Sequence, residues 1–191
     1  MYNNFIRNIS RYVLFTEKEI LYILSLIEPR QIKKNEMVFR EGEVCRHVSY
    51  LNKGLLRYYH TFDNVEKTTY FFVEDMWVSD YASFLSKKPS AFAIEALEDS
   101  ELFMLNYDVV QEAYDKAKVF ERFGRRMAEE HCIQTIQDSF RLLTTTPEER
   151  YLNLLETNPD LINRAPLKYI ASMLGVIPES LSRIRKRISA R

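Results

Sequence analysis

The stretch Leu167–Ile188 constrains this chain more than any other. Ile170 and Leu174 sit one helical turn apart and give one apolar face. Ala171 between them is small enough to let a second helix come close. Gly175 falls where a tight turn between helices needs a positive φ, which glycine adopts at little cost, and Val176 packs inward from the turn. Pro178 suits the first position of a following helix, where a missing N–H costs nothing. Leu181, Ile184 and Ile188 then recur at three and four residues. This spacing predicts a helix-turn-helix. The outer face of its second helix carries Glu179, Ser180, Ser182, Arg183, Arg185, Lys186 and Arg187. Residues near the start of such a helix reach base edges, where an arginine pairs with guanine through two hydrogen bonds. The later cations, with Lys168 on the first helix, suit phosphates. A solvated basic face is the plainer alternative, because cations favour helix C-termini. The small residue, the glycine and the five apolar positions together favour a DNA-reading surface.

Charge distribution points the same way. The 191 residues are neutral overall. From Arg164 to Arg191, however, seven cations face the single acid Glu179, a net +6 that leaves −6 on residues 1–163. An acidic body with a basic arm is the pattern of a nucleic-acid binder. Cys45 and Cys132 stand far apart, and His47, His60 and His131 form no His-x-His or His-Glu-x-x-His pattern. Structural zinc and iron–sulfur centres need about four ligands, so no metal or cofactor is expected. No Ser-His-Asp set, phosphate loop or spaced carboxylate pair marks an enzyme. A cupin-type metalloenzyme, which also uses a strand roll, would need converging histidines that this chain lacks. No apolar run is long enough to span a bilayer, and the N-terminus lacks a signal-peptide core. A cytoplasmic protein without a membrane partner is expected.

Taken in order, Thr16–Glu19 forms a capping box ahead of Ile20, Ile23, Leu24 and Ile27 at helical spacing, and Pro29 stops that helix. Short runs rich in Tyr, Phe, Val and Thr follow, separated by turn signals at Glu41-Gly42, Asn52-Lys53-Gly54 and Asp63-Asn64. They predict strands over 37–39, 48–51, 55–61, 67–73, 91–97 and 101–105, an antiparallel sandwich or roll. Asn106 caps a helix from Tyr107. A long helix is predicted over 119–143, with one stripe of Phe120, Phe123 and Met127 and a second of Ile133, Ile136, Phe140 and Leu143. A face this large exceeds what a small domain can cover, so pairing with a second copy is expected. Thr144-Thr145-Thr146 breaks that helix. Thr146-Pro147-Glu148-Glu149 starts another, expected to turn Tyr151, Leu152 and Leu155 inward.

A strand roll, a long helix and a short helical unit, in that order, resemble the Crp–Fnr family of bacterial transcription regulators over nearly the whole chain. Phe39-Arg40-Glu41-Gly42-Glu43 is similar to that family's first roll turn and Tyr50–Leu55 to its next hairpin. Residues 167–188 match its helix-turn-helix. The family's base-reading positions fall here on Pro178, Glu179, Ser180 and Arg183. Three keep the family's residue type, while Pro178 removes one arginine and implies a different operator preference.

The expected fold class is therefore α+β. An N-terminal antiparallel β-roll (a cyclic-nucleotide-binding-like jelly roll, residues 1–118) would precede a dimerisation helix (119–143) and a C-terminal helix-turn-helix domain of winged-helix type (144–191). The resemblance implies a homodimer on a pseudo-palindromic double-stranded DNA operator, with RNA polymerase as a further candidate partner. In relatives that bind cyclic nucleotides, a Gly-Glu pair takes the ribose and an Arg-Ser or Arg-Thr pair the phosphate. Those pairs align here with Ser79-Asp80 and Ser90-Ala91. Ser90 has neither the charge nor the fork of a guanidinium, so cyclic AMP is not expected as the effector. Another small molecule held by Asp80, Ser90, Gln134 and Thr135 stays open, as does an empty scaffold. A ligand-sensing or protein-interaction module whose helical tail no longer reads DNA is the alternative to a regulator; Pro178, and Ile177 at a position where the family often has a hydroxyl cap, favour it.

Overall fold

Three clusters of buried apolar side chains hold a strand roll and the helices around it. The structure is a computed structural model and describes residues 2–189. Met1, Ala190 and Arg191, the last counted in the basic arm, lie outside the described residues. Helices α1 (Asn3–Ser10) and α2 (Glu17–Leu26) lead into β1 (Glu28–Ile32), β2 (Met37–Phe39), β3 (His47–Lys53), β4 (Leu56–Phe62), β5 (Val65–Phe72) and β6 (Trp77–Val78). A one-and-a-half-turn helix, α3 (Tyr81–Ser86), precedes β7 (Ala93–Ala96) and β8 (Ser100–Asn106). The rest is helical: α4 (Tyr107–Lys116), α5 (Lys118–Thr144), α6 (Pro147–Thr157), α7 (Pro159–Arg164), α8 (Leu167–Met173) and α9 (Pro178–Ser189). Among the described residues no strand follows α9.

The strands form two antiparallel sheets, ordered β1-β8-β3-β6 and β2-β7-β4-β5. Their facing sides share one core, with Ile32, Leu51, Leu56, Phe72, Ile94 and Leu102 at its centre. Turn chemistry sets the hairpins. Asp63 and Asn64 both take positive φ (49° and 60°), the pairing that lets a two-residue turn follow the twist of β4 and β5. Gly54 sits at φ 111°, where a Cβ would meet Ser100 at 2.1 Å, so only glycine fits.

Five elements lie outside the sequence expectation. In α1, Phe5 and Ile9 are four residues apart and fully buried; Phe5 meets the rings of Tyr50, Trp77 and Phe103. Apart from Ile6, the remaining positions of α1 are Asn, Arg and Ser, and tertiary packing reveals the helix. Pro29 does more than stop a helix: it lies in β1, an edge strand with four of five residues exposed, where a missing N–H is tolerated. The very short β6, α3 and α7 carry too few residues for a periodic signal. In α6 the inward residues are Tyr151 and Leu154, while Leu152 and Leu155 are half-buried. The expected capping boxes at Thr16 and Thr146 are both formed.

The helical unit α6–α9 does not stand apart from the roll. Its core of Tyr151, Leu161, Ile170, Ala171, Leu174, Leu181 and Ile184 continues into Leu55, Phe71 and Leu97 of the roll. At this seam Arg57 of β4 is 1 % exposed. Its guanidinium is sandwiched between the rings of Tyr59 (3.9 Å) and Tyr169 of α8 (3.8 Å) and pairs with Glu95 at 2.5 Å and Glu66 at 2.8 Å. Removing one partner of a buried ion pair strands the other charge. Arg57→Ala should therefore lower unfolding free energy by about 3 kcal/mol, measured by urea denaturation at neutral pH.

Candidate functional site

Two helices joined by a tight turn, α8 and α9, stand where the spacing predicts them. Gly175 takes φ 74° in the turn, and its N–H donates to the Ser172 carbonyl at 3.0 Å. Pro178 opens α9, whose buried residues are Leu181 and Ile184. Arg150 of α6 holds the turn in place: it donates to the carbonyls of Thr145, where α5 ends, and of Leu174 (2.8 Å), where α8 ends. One guanidinium thus fixes α9 relative to the long helix.

The outer face of α9 points to solvent. Glu179, Arg183, Arg185 and Lys186 are exposed and Ser180 is half-buried, with Arg183 donating to the Ser180 hydroxyl at 3.1 Å. Lys168 is exposed on α8. Arg187 differs from the others: it is ion-paired with Glu148 at the start of α6. The basic arm is also smaller than its sequence count. Arg164 faces the roll rather than solvent DNA, donating to both oxygens of Glu74 (2.8 and 2.8 Å) and to Glu98 (2.7 Å). Nothing in the sequence marks this bond, because its acids lie 66 and 90 residues away.

The four candidate ligand residues separate into two pairs. Asp80 and Ser90 are buried and bonded to each other, the Ser90 hydroxyl donating to Asp80 at 2.5 Å. Asp80 also caps α3 by accepting the Ser83 N–H at 3.2 Å. Both carboxylate oxygens are thereby used inside the fold. Gln134 and Thr135 are exposed on α5 and bond within that helix, to Asp138 and to the His131 carbonyl. The interior next to Asp80 is filled by the chain's own rings: Tyr58 stacks on Phe92 at 4.5 Å and abuts Phe72, which meets Tyr70. Burial, with Asp80 nearby, holds the Tyr58 hydroxyl far above its ordinary pKa, so it stays protonated. Lys87, next in sequence, is drawn over the Tyr107 ring at 4.0 Å and is not a substitute cation here.

The helix α5 changes character along its length. Phe120, Phe123 and Met127 are buried against the roll helices, and His131 stacks on Tyr81 at 4.5 Å. Beyond that point Ile133, Ile136, Phe140 and Leu143 are between 57 % and 84 % exposed. Their spacing of three, four and three is that of a coiled-coil seam.

Comparison with known proteins agrees with this geometry. Residues 29–117 match the family model of the cyclic nucleotide-binding domain. No curated protein matches the chain in sequence. Among solved structures, FixK2 from Bradyrhizobium japonicum superposes with a TM-score of 0.70 at 19 % identity, over 86 % of this chain and 85 % of that one. The c-di-GMP-responsive global regulator CLP of Xanthomonas campestris gives 0.68 at 18 % identity, over 92 % of each chain. The Thermus thermophilus catabolite activator protein gives 0.59 at 16 % identity, over 92 % of this chain and 84 % of that one. The roll is thus similar to a cyclic nucleotide-binding domain. The chain shares its fold with these regulators over most of its length, and no described helix is long and apolar enough to cross a membrane.

The Glu74–Arg164 bond makes attachment of the helical unit sensitive to acid. Burial raises the Glu74 carboxyl, but the Arg164 fork and the Gly54 N–H outweigh it and leave the group below its ordinary value of 4.5. A depressed pKa contributes stability that is present above pH 4.5 and lost as pH falls through the lower, folded value. Between pH 7 and pH 3.5, wild type should therefore lose more urea resistance than Glu74→Gln, which cannot titrate.

Proposed function

We propose that this chain is a homodimeric, sequence-specific DNA-binding transcription regulator that does not respond to cyclic AMP. The observation that carries the reading is the solvent face of α9, where Arg183, Arg185 and Lys186 stand free of ion partners among the described residues while the opposite face is locked into the core by Leu181 and Ile184. Glu179, Ser180 and Arg183 are assigned to base edges, and Arg185, Lys186 and Lys168 to phosphates. Arg187 joins them only by leaving Glu148. The exposed seam of α5 supplies the two-fold partner that places two such helices on successive turns of one duplex. The bonded Asp80–Ser90 pair and the ring-filled interior argue against a cyclic phosphodiester, which would enter a site without a cation.

Selection from random duplexes should return an inverted repeat with half-sites about 10 bp apart. Arg183→Ala with Arg185→Ala should abolish the retarded band without changing the circular dichroism spectrum, and added cyclic AMP should leave binding unchanged. No enriched repeat, or unaltered binding by the double variant, rejects the DNA-reading assignment and favours an interaction module, a reading that Pro178 and the Arg187–Glu148 pair also support. The dimer is tested separately. Ile136→Glu with Phe140→Glu should give a monomer by sedimentation while the roll stays folded, since both residues are already more than 60 % exposed in one chain.

A further inference from the structure

The cations of α9 are not all presented alike. Ser180, Arg183 and Arg187 recur at three and four residues, so they share one side of the helix. They line a groove of about 530 Å³ whose other side is the start of α6, with Thr146, Pro147 and Glu148. Arg183 donates to Ser180 of its own helix. Arg187, one turn further on, reaches across the groove and donates to the Glu148 carboxylate instead. Two guanidinium groups on one side of one helix thus differ in what they can offer a polyanion.

The two acids that open α6 do different work. Glu149 completes the capping box, accepting the Thr146 N–H at 2.7 Å and the Thr146 hydroxyl at 2.8 Å. Glu148 takes no part in that box. An acid in a first turn suits the helix dipole, but that role needs no cation from another helix. The Arg187 side chain is 58 % exposed and that of Glu148 22 %, and ion pairs this close to the surface add little to folding. The pair has a larger consequence for binding. Carboxylate and phosphate oxygens fit the same guanidinium fork, so Glu148 holds Arg187 as a backbone phosphate would. A phosphate that takes Arg187 must break this pair and leave the Glu148 charge beside the duplex.

We propose that Glu148 sets the DNA affinity of this chain by competing with a backbone phosphate for Arg187. The inference rests on the assignment of α9 to DNA and names the residue that restrains it.

Fluorescence anisotropy of the full chain on the inverted-repeat duplex selected with wild type, repeated over a range of salt concentrations, tests this. Glu148→Gln should bind about fivefold more tightly than wild type, a gain that misfolding cannot produce. It frees one cation per chain and two per dimer, so the slope of log K against log salt should steepen by about 1.8. Arg187→Ala should cost Glu148→Gln about fivefold more affinity than it costs wild type, the coupling expected of two groups that act through one bond. Unchanged or weaker binding by Glu148→Gln overturns the proposal. So does an equal gain in the Arg187→Ala background, which marks general repulsion between Glu148 and DNA rather than competition for Arg187. If wild type binds no duplex, the DNA-reading assignment falls and this inference with it. If wild type binds and Glu148→Gln gains nothing, this inference falls alone. Should Glu148→Gln not fold, Glu148→Ala carries the same expectations.

Discussion

The guanidinium of Arg57, closed between two tyrosine rings and two carboxylates, sits where the roll and the helical unit become one body. It lies on the outer face of the β2-β7-β4-β5 sheet, whose inner face packs the roll core through Leu56 and Phe72. That sheet is therefore covered on both sides, which antiparallel sheets often are not. Its edge is covered as well: the Thr68 N–H, which has no neighbouring strand to meet, donates to the Ser172 hydroxyl of α8 at 2.9 Å. An open edge invites pairing with other chains, and here α8 closes it. Packing α8 on the sheet leaves α9 on the far side, turned to solvent.

The long helix joins these parts with two different surfaces. Its first half is a core helix, fixed by Phe120 and Phe123 against the aromatic rings of Phe15, Tyr12 and Tyr22. Its second half touches little of its own chain. The change falls near His131, where the last ring contact with α3 is made through Tyr81. The end of α5 is bound through Arg150 to the turn between α8 and α9, so the direction of the long helix and that of α9 are tied.

Much of this was legible in the residues because the signals were local. Two capping boxes, the Asp63-Asn64 turn, Gly175 and Pro178 each act within a few positions, and each is found where its chemistry requires. The elements that escaped are those stabilised from a distance. Phe5 and Ile9 define α1 only against Tyr50, Trp77 and Phe103, and Pro29 is a strand residue only because β1 lies at an edge. The site was less legible than the fold. Counting Arg164 in the basic arm needed only its charge, whereas seeing it bound to Glu74 and Glu98 needed the tertiary fold. Asp80 and Ser90 were correctly brought near each other by alignment, but their mutual bond, which removes both from ligand contact, depends on burial that spacing does not encode.

The Asp80–Ser90 bond also bears on what a single substitution there would do. Replacing Ser90 alone with arginine would set a guanidinium against a carboxylate already committed to capping α3, and an internal ion pair would form in place of a phosphate receptor. The Tyr58 and Phe92 rings would stay stacked beside it. Ser90→Arg alone would therefore tighten the inside of the roll rather than open an anion receptor in it.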